Sequence, residues 1–148
     1  MIVIEVLGTP APKGSARAFF KAGMKHAVIV KDNDARQRGW DANVRGSAAA
    51  AIGERVDPVY VGKPLQVELV FRLVRPAGHF GKHGLKPSAP PAPATKPDID
   101  KLARATLDAL IGSAFDDDSR IVRLLIGKEY AMPGREGARI TVEEWKPS

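Results

Sequence analysis

Nine consecutive residues, Leu65-Gln66-Val67-Glu68-Leu69-Val70-Phe71-Arg72-Leu73, put an apolar side chain at every odd position and mostly polar ones between them. Side chains alternate between the two faces of a strand, so this run reads as a strand with one buried and one wet face. Such a strand is not stable alone. It obliges the rest of the chain to supply both a sheet and a layer that covers the apolar face. Ile2 to Leu7 is β-branched and apolar, and it stops at Gly8-Thr9-Pro10-Ala11-Pro12, whose prolines cannot continue a ladder. Ala18 to Phe20 and Ala27 to Val30 flank Lys21-Ala22-Gly23-Met24-Lys25, which reads as a hairpin with Gly23 at its turn. Ile121 to Tyr130 and Ala138 to Trp145 alternate again, and the intervening Met132-Pro133-Gly134-Arg135-Glu136-Gly137 predicts that they pair as a second hairpin.

Two segments change period from two to 3.6. After Asp32 or Asn33 as a cap, Trp40, Val44, Ala48, Ala51 and Ile52 recur at helical spacing in a helix expected to reach about Arg55. Asp98 to Ile111 is the second helix, with Ile99, Leu102, Leu107 and Leu110 turned inward and Gly112 as its stop. The order β, ββ, α, β, α, β, β predicts an α+β fold, a small mixed or antiparallel sheet with two main helices packed on it. With 148 residues, 44% of them hydrophobic, one domain over the whole chain is expected. Absence of cysteine rules out a disulfide framework and thiolate zinc sites. The opening apolar run is six residues long with no basic region ahead of it, and reads as a strand, not a signal peptide. No apolar stretch approaches the ~20 residues that cross a bilayer. A soluble protein is expected, and the absence of cysteine fits a reducing cytoplasm.

The net charge of +6 is unevenly placed. Residues 1–57 carry nine Lys/Arg against six Asp/Glu, residues 98–148 eight against ten, and residues 58–97 six against one. A basic middle beside an acidic end suits a protein that holds a polyanion and works on it with cations; a solubilising surface charge would look the same. Residues 76–97 hold six prolines, three glycines and two histidines with few large apolar groups. This is a Pro-rich basic loop, and long loops in small domains are usually functional or disordered.

The loop leads into Lys96-Pro97-Asp98-Ile99-Asp100-Lys101-Leu102. Carboxylates at i and i+2 converge on one ion if the first is still extended, whereas inside a regular helix they diverge by about 200°. Farther on, Phe115-Asp116-Asp117-Asp118-Ser119 places three acids in the turn between helix and strand, which is expected to bring the chain back toward the pair. Carboxylates gathered without cysteine or histidine form a hard oxygen site for Mg²⁺, or Mn²⁺, not zinc. Phosphodiester hydrolysis uses such a site, with Lys101 and Arg104 offsetting the repulsion between carboxylates and phosphate. The same residues would serve equally as an N-cap, a complement to the helix dipole and a solvated turn, and spacing alone does not separate the two.

From Pro97 to Lys128, the runs Pro-Asp-Ile-Asp-Lys-Leu, Leu-Asp-Ala-Leu and Asp-Asp-Ser-Arg-Ile-Val resemble the signature of the RusA family of Holliday-junction resolvases of bacteriophages and prophages. The opening strand followed by Pro-Lys-Gly agrees more loosely. The resemblance implies magnesium held by Asp98, Asp100 and Asp118, with Asp117 as a neighbour and Asp108 as a supporting helix residue. Two positions depart from the family pattern. Lys101 stands where asparagine is common, and Arg104 where a lysine linked to cleavage is found. Arginine keeps the charge and grips phosphate in two places but cannot lend a proton at neutral pH. Arg104 is therefore carried as a catalytic phosphate clamp. Lys13, Arg17, Lys21, Lys101, Arg104 and Lys128 are expected to contact DNA, with Lys25 beside them.

The resemblance also implies a homodimer whose twofold symmetry matches that of a four-way junction, nicking it in pairs to leave 5′-phosphates. Two other outcomes fit the residues. One is a junction-binding protein with little cleavage, and the other is a nuclease of other branched DNA. Phe19, Phe20 and Phe80 lie near basic loops where they could wedge into a junction, with core packing the plainer role for the first two.

Overall fold

The computed structural model describes residues 1–14, 16–19, 22–23, 25–31 and 34–148, with side chains described outside 15–21, 24 and 28–34. Strand β4 (Leu65–Leu73) lies inside a four-stranded sheet and buries Leu65, Val67, Leu69, Phe71 and Leu73 on one face. Its alternation supplies the apolar face on which the fold is built. On one side it pairs antiparallel with β8 (Gly137–Glu144), which in turn pairs antiparallel with β1 (Ile2–Leu7). On the other side it pairs parallel with β7 (Ile121–Tyr130), giving the order β1-β8-β4-β7. The opposite face is mostly polar, with Glu5 receiving Arg72 at 2.9 Å and Arg139 at 3.6 Å.

Helix α1 (Asp34–Ile52) and helix α2 (Ile99–Leu110) cover the apolar face. Trp40, Val44 and Ala48 of α1 are buried, spaced four residues apart as one face of a helix requires. Gly53 follows in a left-handed conformation, so the helix stops short of Arg55, and Ala51 faces solvent. In α2, Leu102, Ala103, Ala105, Thr106, Leu107, Ala109 and Leu110 are buried, while Ile99, at the exposed first turn, is not. The helices meet at Trp40, whose indole N–H donates to the Thr106 hydroxyl at 3.0 Å; that hydroxyl donates to the Leu102 carbonyl at 2.9 Å. Trp40 also packs against Phe71 of β4, with ring centroids 6.5 Å apart.

Two short ribbons complete the described elements. Strands β2 (Ala16–Phe19) and β3 (Val28–Lys31) form the first expected hairpin, with Gly23 at positive φ in its turn. The capping residues Asp32 and Asn33, and Phe20 of the first apolar run, lie outside the described residues. Strands β5 (Phe80–Gly81) and β6 (Gly84–Leu85) form a small ribbon within the Pro-rich loop.

The α+β class and the mixed sheet agree with the sequence reading. The second hairpin does not: β7 and β8 do not pair, because β4 lies between them. Periodicity reports which face of a strand is wet but not which strand lies beside it. Strands two places apart in a sheet are about 9.6 Å from each other, and the six residues 131–136 cross that gap easily. Their passage over the end of β4 is pinned by the Ala131 N–H donating to the Leu73 carbonyl at 2.8 Å. At Gly137 the strands approach so closely that a Cβ would collide with the Val6 carbonyl oxygen.

Thr106→Val keeps the shape of α2 but leaves the buried Trp40 N–H without its acceptor. A loss of about 1–3 kcal/mol of unfolding free energy is expected by urea denaturation; an unchanged midpoint would show that the contact contributes nothing.

Candidate active site

A parallel pair of neighbouring strands needs a crossover, and between β4 and β7 that crossover is the Pro-rich loop followed by α2. The start of α2 therefore lies at the carboxyl end of β4. Asp98 is the last extended residue, with φ −68° and ψ 137°, and the helix runs from Ile99. It occupies the N-cap position but makes no capping hydrogen bond. Asp100 follows in the first turn, exposed. Lys101 Nζ stands 3.8 Å from Asp98.

The buried face of α2 leaves one polar stripe, Asp100, Lys101, Arg104 and Asp108. Residues four apart share a helix face, so Arg104 lies one turn along from Asp100 and Asp108 one turn farther. Asp108 pairs with Lys13, whose backbone N–H donates to the Lys101 carbonyl at 3.0 Å. Gly14 N–H donates to the Gln37 side chain at 2.8 Å. Asp108 thus has the supporting role, strapping the loop after β1 across both helices. The strap and the Pro-rich loop wall a cleft of about 1040 Å³ that Lys13, Arg36, Lys96, Asp98, Lys101 and Tyr130 line. Arg36, Lys96 and Tyr130 were not singled out from sequence. Only the position of Lys96, two residues before Asp98, would have marked any of them.

The acidic turn lies elsewhere. Asp116 accepts from Arg120 at 2.9 Å and from the Gly62 N–H at 3.3 Å, and the Arg120 hydrogen bond chiefly holds its carboxyl below the ordinary range. Asp117 caps the following 3-10 turn by accepting from Ser119 N–H at 2.7 Å, the main reason its own pKa is lowered. Asp118, the exposed first residue of that turn, takes neither part. The turn precedes Ile121, the partner of Leu65 at the start of β4, whereas Pro97 lies against Lys128. Residues 121 to 128 of a strand span about 23 Å, and the twelve residues of α2 about 18 Å. One chain therefore holds Asp98 and Asp100 at one end of the sheet and Asp118 at the other. No three Asp, Glu or His side chains among the described residues are grouped to hold a metal ion.

Lys128 has an internal occupation. Its ammonium donates to the carbonyls of Thr95 at 2.7 Å and Pro97 at 3.0 Å, tying the segment just before Asp98 to the end of β7. Arg104 is exposed on α2. The side chains of Arg17 and Lys21 lie outside those described, and Lys25 is exposed.

Residues 10–143 match the family model for endodeoxyribonuclease RusA, a span covering the cleft, α2 and the acidic turn. The chain belongs to the RusA family. Comparison with curated proteins returned no match. RusA proteins are endodeoxyribonucleases, and such nucleases are generally dependent on a divalent metal. Asp98 lines the cationic cleft and Asp100 follows it in the first turn of α2, and two carboxylates are chemically compatible with Mg²⁺, an ion usually held by one or two carboxylates with waters and phosphate oxygens. No helix among the described residues is long and apolar enough to cross a membrane.

Because Lys128 grips the two carbonyls ahead of Asp98, Lys128→Met is expected to slow DNA cleavage by about 10–100-fold with junction affinity nearly unchanged. Lys128→Arg should recover part of the rate. A fall in affinity with a salt slope shallower by about one would instead assign Lys128 to a DNA phosphate.

Proposed function

We propose that the protein is a Mg²⁺-dependent homodimeric endodeoxyribonuclease that resolves four-way DNA junctions by paired nicking. The observation that carries this reading is the uncapped Asp98, at the carboxyl end of β4 and lining a cleft with Lys13, Lys96 and Lys101, with Asp100 exposed in the helix turn that follows. Ligands of sheets with parallel strands commonly bind at the carboxyl ends of those strands. Asp98 and Asp100 would hold the ion. When bound, the ion supplies positive charge at the scissile phosphate and acidifies a water. Arg104, one turn beyond Asp100, grips a phosphate oxygen pair and moves no proton at neutral pH. Lys13, Lys96 and Lys101 lie where the flanking backbone would run.

The distance between Asp98 and Asp118 supports the dimer. Strand β7 is one of the sheet's two edges, ten residues long, with Val122, Leu124 and Leu125 exposed at 58%, 39% and 46%. A long apolar edge strand is a template for pairing with another chain. Antiparallel pairing of two β7 strands about an axis near Leu124 would bring the start of one strand beside the end of the other. Asp118 of the partner subunit would then come toward Asp98 and Asp100, and each site would draw on both chains. Two such sites related by twofold symmetry suit the two equivalent strands of a junction.

A labelled four-way junction is expected to be nicked on opposing strands in Mg²⁺, with no cutting in EDTA or by Asp100→Asn, and with the matching linear duplex left intact. Tight junction binding without cleavage in Mg²⁺ or Mn²⁺ would contradict the nuclease reading. Leu124→Lys should yield a monomer by sedimentation and abolish nicking; a monomer that still nicks would overturn the shared site.

A further inference from the structure

The ribbon β5–β6 carries Phe80, the one of the three phenylalanines near basic loops for which core packing is not the plainer role. In its register Phe80 faces Leu85 and Gly81 faces Gly84, with Lys82 and His83 forming the two-residue tip. Directly opposed residues share a face, so Phe80 and Leu85 form one apolar pair. The pair is open to solvent, Phe80 at 41% and Leu85 at 52%. A Cβ added at Gly81 would be in van der Waals contact with the Lys86 methylenes, so the Lys86 side chain lies beside Gly81. No aspartate or glutamate occurs from residue 69 to 97, while Lys82, Lys86 and Lys96 do.

The base of the ribbon is held firmly. Lys86 N–H donates to the His79 carbonyl at 2.9 Å, and His79 N–H to the Pro76 carbonyl at 3.0 Å. Arg75 lies 4.2 Å above the Tyr130 ring and donates to the Pro90 carbonyl at 2.8 Å, and His79 meets the same ring edge-on at 5.4 Å. The ribbon is thus anchored on Tyr130, a wall of the Asp98 cleft, while its apolar pair stays uncovered. A core element would bury Phe80, whereas here Phe80 and Leu85 are exposed together on a cationic, acid-free hairpin.

We propose that the ribbon is a wedge for branched DNA. Phe80 and Leu85 insert against an unstacked base at the branch point while Lys82 and Lys86 contact the flanking phosphates. The chemistry favours DNA over a second protein surface because the ribbon brings cations and no carboxylate to its partner. Apolar side chains inserted between base steps unstack them, and an aromatic ring stacks on any base without regard to sequence. The inference rests on the proposed action on junctions and adds the element that distinguishes a branch from a duplex.

The test uses the full chain in EDTA, where strands stay intact, and a four-way junction carrying 2-aminopurine beside the crossover. Binding should raise 2-aminopurine fluorescence about threefold or more as the base unstacks. Phe80→Ser/Leu85→Ser, at two exposed positions, should abolish that rise and weaken junction binding about tenfold, leaving duplex binding within about twofold. Circular dichroism checks that the variant is folded. A parent that binds and, in Mg²⁺, nicks junctions with no fluorescence rise, or a variant whose rise equals the parent's, overturns the wedge alone. Dissociation of the dimer by the double substitution would assign the pair to a second copy and also overturn it. A parent that binds no DNA overturns the junction reading and the wedge with it.

Discussion

The parallel pairing of β4 with β7 is the constraint on which the rest of the molecule turns. Two adjacent parallel strands cannot be joined by a tight turn, so the chain must return along the sheet, and α2 is the return path. This places Asp98 where β4 ends and the acidic turn where β7 begins. It also makes β4 an inner strand, apolar on one face along its whole length, with β8 on its other side. The separation of the carboxylates is a consequence of the topology, and so is the exposed edge through which a second copy could reunite them.

Helix α2 carries two tasks on two faces. Its apolar side docks on the sheet and, through Thr106 and Trp40, on α1. Its polar stripe holds Asp100, Lys101, Arg104 and Asp108 along the helix. Burial of the first face fixes the second in direction, so packing and site geometry are set by the same contacts. The segment before the helix is fixed by Lys128 and the segment after β1 by Lys13 with Asp108. Two lysines that sequence reasoning assigned to DNA therefore make internal bonds. Lys13 still lines the cleft, whereas Lys128 serves the backbone that carries Asp98.

Features that depend on one segment were legible in the sequence. The alternation of 65–73, the strand at 2–7 and the helix boundary at Asp98 follow from local period and local chemistry. Features that depend on which segments become neighbours were not. Met132 to Gly137 contains good turn residues, yet the strands on either side are separated by β4, because turn chemistry permits a reversal without naming the partner. The same gap hid the distance from Asp98 to Asp118, the grip of Lys128 on carbonyls more than thirty residues earlier, and the anchoring of the β5–β6 ribbon on Tyr130. Among the three acids of the later turn, the bonds of Asp116 and Asp117 to Arg120 and Ser119 were equally invisible; they leave Asp118 as the one that neither caps nor pairs with arginine.

The central claim is that two chains together complete each site, and complementation between inactive variants tests it directly. Asp98→Asn and Asp118→Asn chains are each prepared, shown to be inactive, then mixed under conditions that allow subunit exchange. In a mixed dimer one site receives both substitutions and the other receives neither, so junction nicking should return, on one strand per encounter instead of two. Mixed dimers that form, as shown by a mass tag on one chain, yet nick nothing would contradict the shared site and place all the chemistry within a single chain.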